Sequence, residues 1–295
     1  DKLTKVNGSN ISYDANGNPL SYRDGMSFEW ENGRILKNIN TSDKSVQMSY
    51  DSNGMRTQKS VDGVKTNYYY DSNKNLIALV KGNDTLLFYY DSDGSATSFS
   101  YNGTMYFYVK NLQGDVIRII DLAGTEVASY VYDSWGNIKD TKGDTTVREL
   151  NPIRYRGYVY DTETSLYYLQ SRYYDPFTGR FLNADVYADT QSGTPLSTNM
   201  FSYCENNVVM NMDNKGYSIG ISSGWVSFGI DLIIDVFAAP VALAYHAIKI
   251  AVKTYLKKYG VKKVAKYIIK KIISKCKKIL IKFTRLLNKL LMKVI

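Results

Sequence analysis

"YDSNGMRTQKSVDGVKTNYYYDSNKNLIALVKGNDTLLFYYDSDG", residues 50–94, returns to the same pattern every twenty positions. Tyr50-Asp51 precedes Gly54, Tyr70-Asp71 precedes Lys74, and Tyr90-Asp91 precedes Gly94. Asp-Ser-Asn-Gly and Asp-Ser-Asp-Gly are turn formers, because the Asp side chain bonds nearby amides and glycine tolerates a positive φ. The runs "TNYYY" and "LLFYY" between them carry aromatic and β-branched residues that suit a pleated surface. One period therefore reads as two strands and two turns. Tyrosine suits such a unit, since its ring packs while its hydroxyl reaches a polar partner.

Further copies flank this stretch. They are Tyr13-Asp14 with Gly17, Trp30-Glu31 with Gly33, Tyr108 with Gly114, and Tyr132-Asp133 with Gly136. A period near twenty predicts an array in which each unit buries its apolar face against its neighbours. The composition agrees, with 27 Tyr among 295 residues. One His and two Cys, Cys204 and Cys276, leave little for a zinc site or a disulfide framework, and no cofactor is expected.

The net charge of +9 is unevenly divided. Residues 218–295 hold 16 Lys and Arg against Asp231 and Asp235, a net +14, which leaves −5 for residues 1–217. An acidic body and a basic tail imply different tasks. The chain opens on Asp1 without a basic, apolar leader, so it reads as the C-terminal part of a longer protein.

The tandem Tyr-Asp-x-x-Gly pattern resembles the Rhs, or YD-repeat, family. So does "NPIRYRGYVYDTETSLYYLQSRYYDPFTGRFLNADVYADT" from Asn151, which is similar to the Rhs-associated core that ends the repeats. The resemblance implies hairpins wound into a hollow shell around a toxic C-terminal segment. The expected fold is a mainly β shell of stacked hairpins over 1–217 followed by an α-helical region over 218–295. Its divisions are repeats at 1–150, the core at 151–217 and a toxin-like region at 218–295.

In some relatives the core is an aspartic autoprotease. Matched residue by residue, the resemblance implies Asp185 and Asp213 as the acids, Arg172 as their helper, and a cut after Tyr217. Two crowded carboxylates cannot both ionise cheaply, so one keeps a proton while the other activates water. This chain departs from the family ending, reading Asp213-Asn214-Lys215-Gly216-Tyr217 without its Pro and Leu. The plainer reading makes Asp175, Asp185 and Asp213 turn or strand-end residues, and Asp175 is assigned to the turn.

After Tyr217 the character changes. "SIGISSG" reads as a flexible junction, 225–259 as a helix kinked at Pro240, and 261–295 as a cationic amphipathic helix. His246 and Cys276 read as residues of the helix faces. Twelve Lys and Arg in the second helix, at about 3 kcal/mol each in a bilayer centre, exclude a lone spanning helix. Lying flat on anionic lipid is favourable, with Trp225, Lys262, Lys266, Lys270, Lys277 and Phe283 as membrane-binding candidates. The tail has no Glu, which disfavours an enzymatic effector.

Three functions stay open on these grounds. The first is a secreted or cell-wall-associated toxin with an anionic membrane surface as its target and an immunity protein as partner. The second is nucleic-acid binding by the basic tail. The third is a structural surface protein whose tyrosines bind carbohydrate.

Overall fold

The computed structural model describes residues 1–185, 199–209, 211–213 and 216, together with the backbone of Ile219–Ile221. Twelve antiparallel strands, from Ser27–Glu31 to Ile138–Gly143, form one meander in which every strand bonds only its neighbours in sequence. Alternation decides the faces. In Asp84–Tyr90, Leu86 and Phe88 are buried while Leu87 and Tyr89 are exposed.

Each Tyr-Asp turn follows one plan. Asp51 Oδ1 accepts the amides of Asn53 and Met55, Asp71 Oδ1 those of Asn73 and Asn75, and Asp91 Oδ1 those of Asp93 and Ser95. A bulge follows each of these turns at the same place, while the two-residue hairpins at the other edge have none. Tyr50 pairs with Arg56 but Ser49 with Gln58, which leaves Thr57 unopposed, and Ile77 and Thr97 repeat the arrangement. Bulges bend a strand and raise its twist, so a bulge in each copy on the same edge coils the sheet steadily.

The tyrosines tie copy to copy. Tyr50 Oη donates to the Leu36 carbonyl at 2.7 Å, Tyr70 Oη to Arg56 and Tyr90 Oη to Leu76, both at 2.9 Å. Every acceptor faces the aromatic residue of the preceding copy across its turn: Leu36 faces Trp30, Arg56 faces Tyr50 and Leu76 faces Tyr70. The hydroxyl thus satisfies a carbonyl at the turn, where strand pairing is interrupted.

One register differs from the sequence expectation. The strand Thr104–Lys110 ends two residues beyond Tyr108, so Lys110-Asn111 fills the Tyr-Asp place ahead of Gly114. Lys110 Nζ donates to Ser95 Oγ at 2.7 Å, and burial pushes its pKa down to about 8 against the pull of Asp91. Tyr108 bonds Asn151 Oδ1 instead. Ile120-Asp121 with Gly124 forms a further turn of the same build that lacks a tyrosine to announce it.

Lys74 stands at φ 67°, where Gly54 and Gly94 have 77° and 78°. A left-handed conformation costs a side-chain-bearing residue roughly 1–2 kcal/mol, partly offset by glycine's freedom in the unfolded chain. Lys74→Gly is therefore expected to stabilise the protein by about 1 kcal/mol, read as a rise of about 2–4 °C in melting temperature.

Beyond the meander, Asp144 caps the short helix Thr145–Leu150 by accepting the Val147 amide. A second sheet follows, built from Val159–Asp161, Leu166–Tyr168, Tyr173–Asp175 and Arg180–Phe181. Its Leu166, Tyr168 and Tyr173 pack with Phe28, Leu36, Ile39 and Val46 of the first strands in one buried cluster. Tyr155, Tyr158, Tyr167, Tyr174 and Tyr203 form another with Phe181 and Cys204. Asn211–Asp213 pairs antiparallel with Ile219–Ile221. Over Ile219–Ile221 that strand corrects the expected flexible junction, since the β-branched residues on either side of Gly220 are drawn into extended pairing, and the rest of the junction lies outside the described residues.

Candidate self-cleavage site

The hairpin between Leu166–Tyr168 and Tyr173–Asp175 turns tightly, with Gln170 at φ 63° and the Leu169 amide donating to the Arg172 carbonyl. This turn delivers Ser171 and Arg172 to one end of the small sheet. Asp185 arrives after Arg180–Phe181, its amide bonded to the Met200 carbonyl and the preceding Ala184 carbonyl held by Arg34 at 3.2 Å. Asp213 lies 41 residues beyond Arg172, at the end of its strand, where its amide donates to Tyr158 Oη at 3.1 Å.

The three expected residues meet. Arg172 Nη2 lies 2.8 Å from Asp185 Oδ2 and 3.3 Å from Asp213 Oδ2, so one guanidinium nitrogen touches both acids. Arg172 Nη1 donates to the Met200 carbonyl, and the Phe181 ring lies 3.6 Å from the guanidinium carbon. Arg172 and Asp213 are buried, and Asp185 is partly open. Burial draws the Arg172 pKa below its usual value, and the two acids partly restore it. The guanidinium lets two carboxylates approach at a site poor in water.

Arg172 and Asp213, with Ser171, also hold the chain ahead of the expected cut. Arg172 Nε donates to the Gly216 carbonyl at 2.6 Å, and Ser171 Oγ donates to the same oxygen at 2.8 Å. The Gly216 amide donates to Asp213 Oδ1 at 2.8 Å. A cavity of about 310 Å³, lined among others by Arg34, Ser171 and Asn183, adjoins this cluster. The amide group of buried Asn183 has no hydrogen-bond partner among the described residues. Tyr217 lies outside the described residues, as do Trp225, Lys262, Lys266, Lys270, Lys277 and Phe283.

Asp175 does form the turn, accepting the Phe177 amide at 3.0 Å, but it is also fully buried and ion-paired. Arg23 Nε and Nη2 reach its two oxygens at 3.0 Å each, and Tyr22 Oη adds a third donor. The sequence carried no sign of this pairing, because the partners are 152 positions apart. Ser171 was missed for another reason: serine beside arginine is unremarkable until a carbonyl is placed against it. Cys204 is buried among aromatic rings, and burial pushes its thiol up to about 12.

A long meander of Tyr-Asp turns, closed by a tyrosine-rich core segment, defines a YD-repeat shell. The family model for the teneurin YD-shell matches residues 1–209, and the chain belongs to that family. It is 38% identical over 236 residues to the tRNA3(Ser)-specific nuclease WapA of Bacillus spizizenii, a match covering 77% of this chain and 10% of the relative. The same figures describe its likeness to the tRNA nuclease WapA of Bacillus subtilis. The chain thus spans about a tenth of the length of these curated relatives. Among solved structures, that of TcdB2-TccC3-Cdc42 superposes with a TM-score of 0.57 at 19% identity, over 70% of this chain and 11% of that one. This likeness concerns the fold. Among the described residues no helix is long and apolar enough to cross a membrane, which says nothing of β-barrels.

Proposed function

We propose that this chain is part of the shell of a polymorphic toxin, secreted or held at the cell wall, that frees its own C-terminal segment by aspartic self-cleavage after Tyr217. The observation that carries the reading is the meeting of Asp185 and Asp213 on Arg172, with Gly216 bonded to the same group. One carboxylate takes a proton from water as the water oxygen attacks the Tyr217 carbonyl carbon. The protonated carboxyl supplies the proton that the leaving Ser218 nitrogen needs as the C–N bond breaks. The products are a carboxylate on Tyr217 and a free amine on Ser218.

Mass analysis of the purified chain tests this. A fragment ending at Tyr217 is expected from the parent, and its loss from Asp185→Asn and Asp213→Asn, by a factor of at least about 10³, is expected from the variants. Cutting that persists in both variants would rule out the aspartic mechanism.

The freed segment is read as a cationic membrane-active effector of helical form. Its support is the net +14 of residues 218–295 together with their sustained apolar periodicity, which phosphate binding does not require. An immunity protein that covers this charge is the implied partner. The names of the WapA relatives favour a second reading, a nucleic-acid target. Dye release from anionic but not neutral vesicles separates the first from the second, in which affinity for RNA or DNA falls steeply with salt.

A further inference from the structure

The geometry points to Ser171 as a positioning residue of the cut: together with Arg172 Nε it clamps the Gly216 carbonyl, fixing the residue just before the cleaved bond's own tyrosine. This inference rests on the self-cleavage reading and adds to it a requirement at two positions. Three bonds hold one short piece of backbone. Ser171 Oγ and Arg172 Nε donate to the Gly216 oxygen, and Asp213 Oδ1 accepts the Gly216 amide. Gly216 is thus gripped on both its amide and its carbonyl by Asp213, by Arg172, which pairs with both acids, and by the adjacent Ser171. Holding the backbone one residue before a reacting carbonyl restricts the orientations it can take, and orientation accounts for a large share of the rate in such reactions.

The grip leaves no room for a side chain. A Cβ on residue 216 would lie 2.5 Å from Ser171 Oγ, 3.0 Å from the Leu169 carbonyl oxygen and 3.3 Å from the Arg172 amide nitrogen. Gly216 also has φ 72°, where L side chains are strained. Both facts make glycine at this position a requirement of the clamp and a determinant of which bond is cut. The serine matters because its hydroxyl is the neutral partner of a charged donor. Arg172 is shared with both acids, so the carbonyl would otherwise depend on a group already engaged by them.

The test follows the rate at which the full-length chain, made in a cell-free system, gives the fragment. Ser171→Ala is expected to slow cutting about ten-fold, and Ser171→Thr, which keeps a hydroxyl, to return it to within about three-fold of the parent. Gly216→Ala is expected to slow cutting about a hundred-fold or more. Melting temperatures of the same substitutions, measured in the uncut Asp185→Asn background, check that each variant is folded. Parent-like rates in folded Ser171→Ala overturn the clamp and leave self-cleavage standing. Failure of Ser171→Thr to recover also overturns it, as does a fragment ending at Gly216. A parent chain that stays whole overturns the self-cleavage reading, and the clamp with it.

Discussion

Asp161→Ala is expected to lower the melting temperature of the shell by about 10 °C. The reason lies in what the carboxylate holds. Arg56 is fully buried, and its two terminal nitrogens reach Asp161 at 2.5 and 3.1 Å, while Lys59 Nζ lies 2.8 Å from the same carboxylate. The rings of Tyr68, Tyr168 and Tyr173 close around the guanidinium. Removing the acid strands a buried cation, at a cost of about 3–5 kcal/mol. Lys59 suffers less, because Glu163 remains 2.8 Å away. Arg56 and Lys59 lie on the sheet and Asp161 on the core segment, so the loss loosens the attachment of one to the other.

The same group sets an acid limit. Burial alone would raise the Asp161 pKa, but Arg56 and Lys59 outweigh it and hold the value below the ordinary one. A depressed carboxylate contributes stability above its unfolded value of about 3.9, and loses it as pH falls through the lower folded value. Melting temperatures measured from pH 7 down to pH 2 should therefore stay level to about pH 5 and fall below about pH 4. Asp161→Asn should show a shallower fall. An equally steep fall in that variant would assign the acid limit to other carboxylates.

Asp175→Ala is expected to cost about 3–5 kcal/mol as well, by stranding Arg23. Here the element released is different. Arg23 belongs to the tight turn Arg23–Gly25 ahead of the first strand of the meander, and Tyr22 and Arg23 together anchor it to Asp175. Arg23 keeps Asp24 as a partner at 2.6 Å, but Asp24 is exposed, where solvent screens the pair. Limited proteolysis of Asp175→Ala should open the chain before Ser27 ahead of any cut in the sheet, with Asp175→Asn intermediate because it still accepts hydrogen bonds. Uniform loss of protection would show that the ion pair stabilises the whole shell and not this attachment.

The repeat was legible because its determinants are local. Tyr, Asp and Gly act within one turn and its nearest neighbours, so their spacing predicts strands and hairpins without knowledge of anything distant. The reading slipped where a local sign was replaced. Lys110 occupies a tyrosine place and Ile120 another, so the register there emerges only from the strand pairing. The trio Arg172, Asp185 and Asp213 was named through a family resemblance. Chain order alone does not bring these residues together, since the turn, the loop and the strand that carry them meet only when the small sheet packs.

What the sequence by itself determined is the unit: two strands, a turn held by an aspartate, and a tyrosine ready to bond a neighbour. Tertiary structure alone decided which charges are buried together. Arg56 with Asp161 and Arg23 with Asp175 are more than a hundred positions apart. The physical reason is that hydrogen bonds within a turn are specified by adjacent residues, whereas an ion pair is specified by where two remote surfaces close. Only when the core segment settles on the sheet does each carboxylate lose its water and take a guanidinium in exchange.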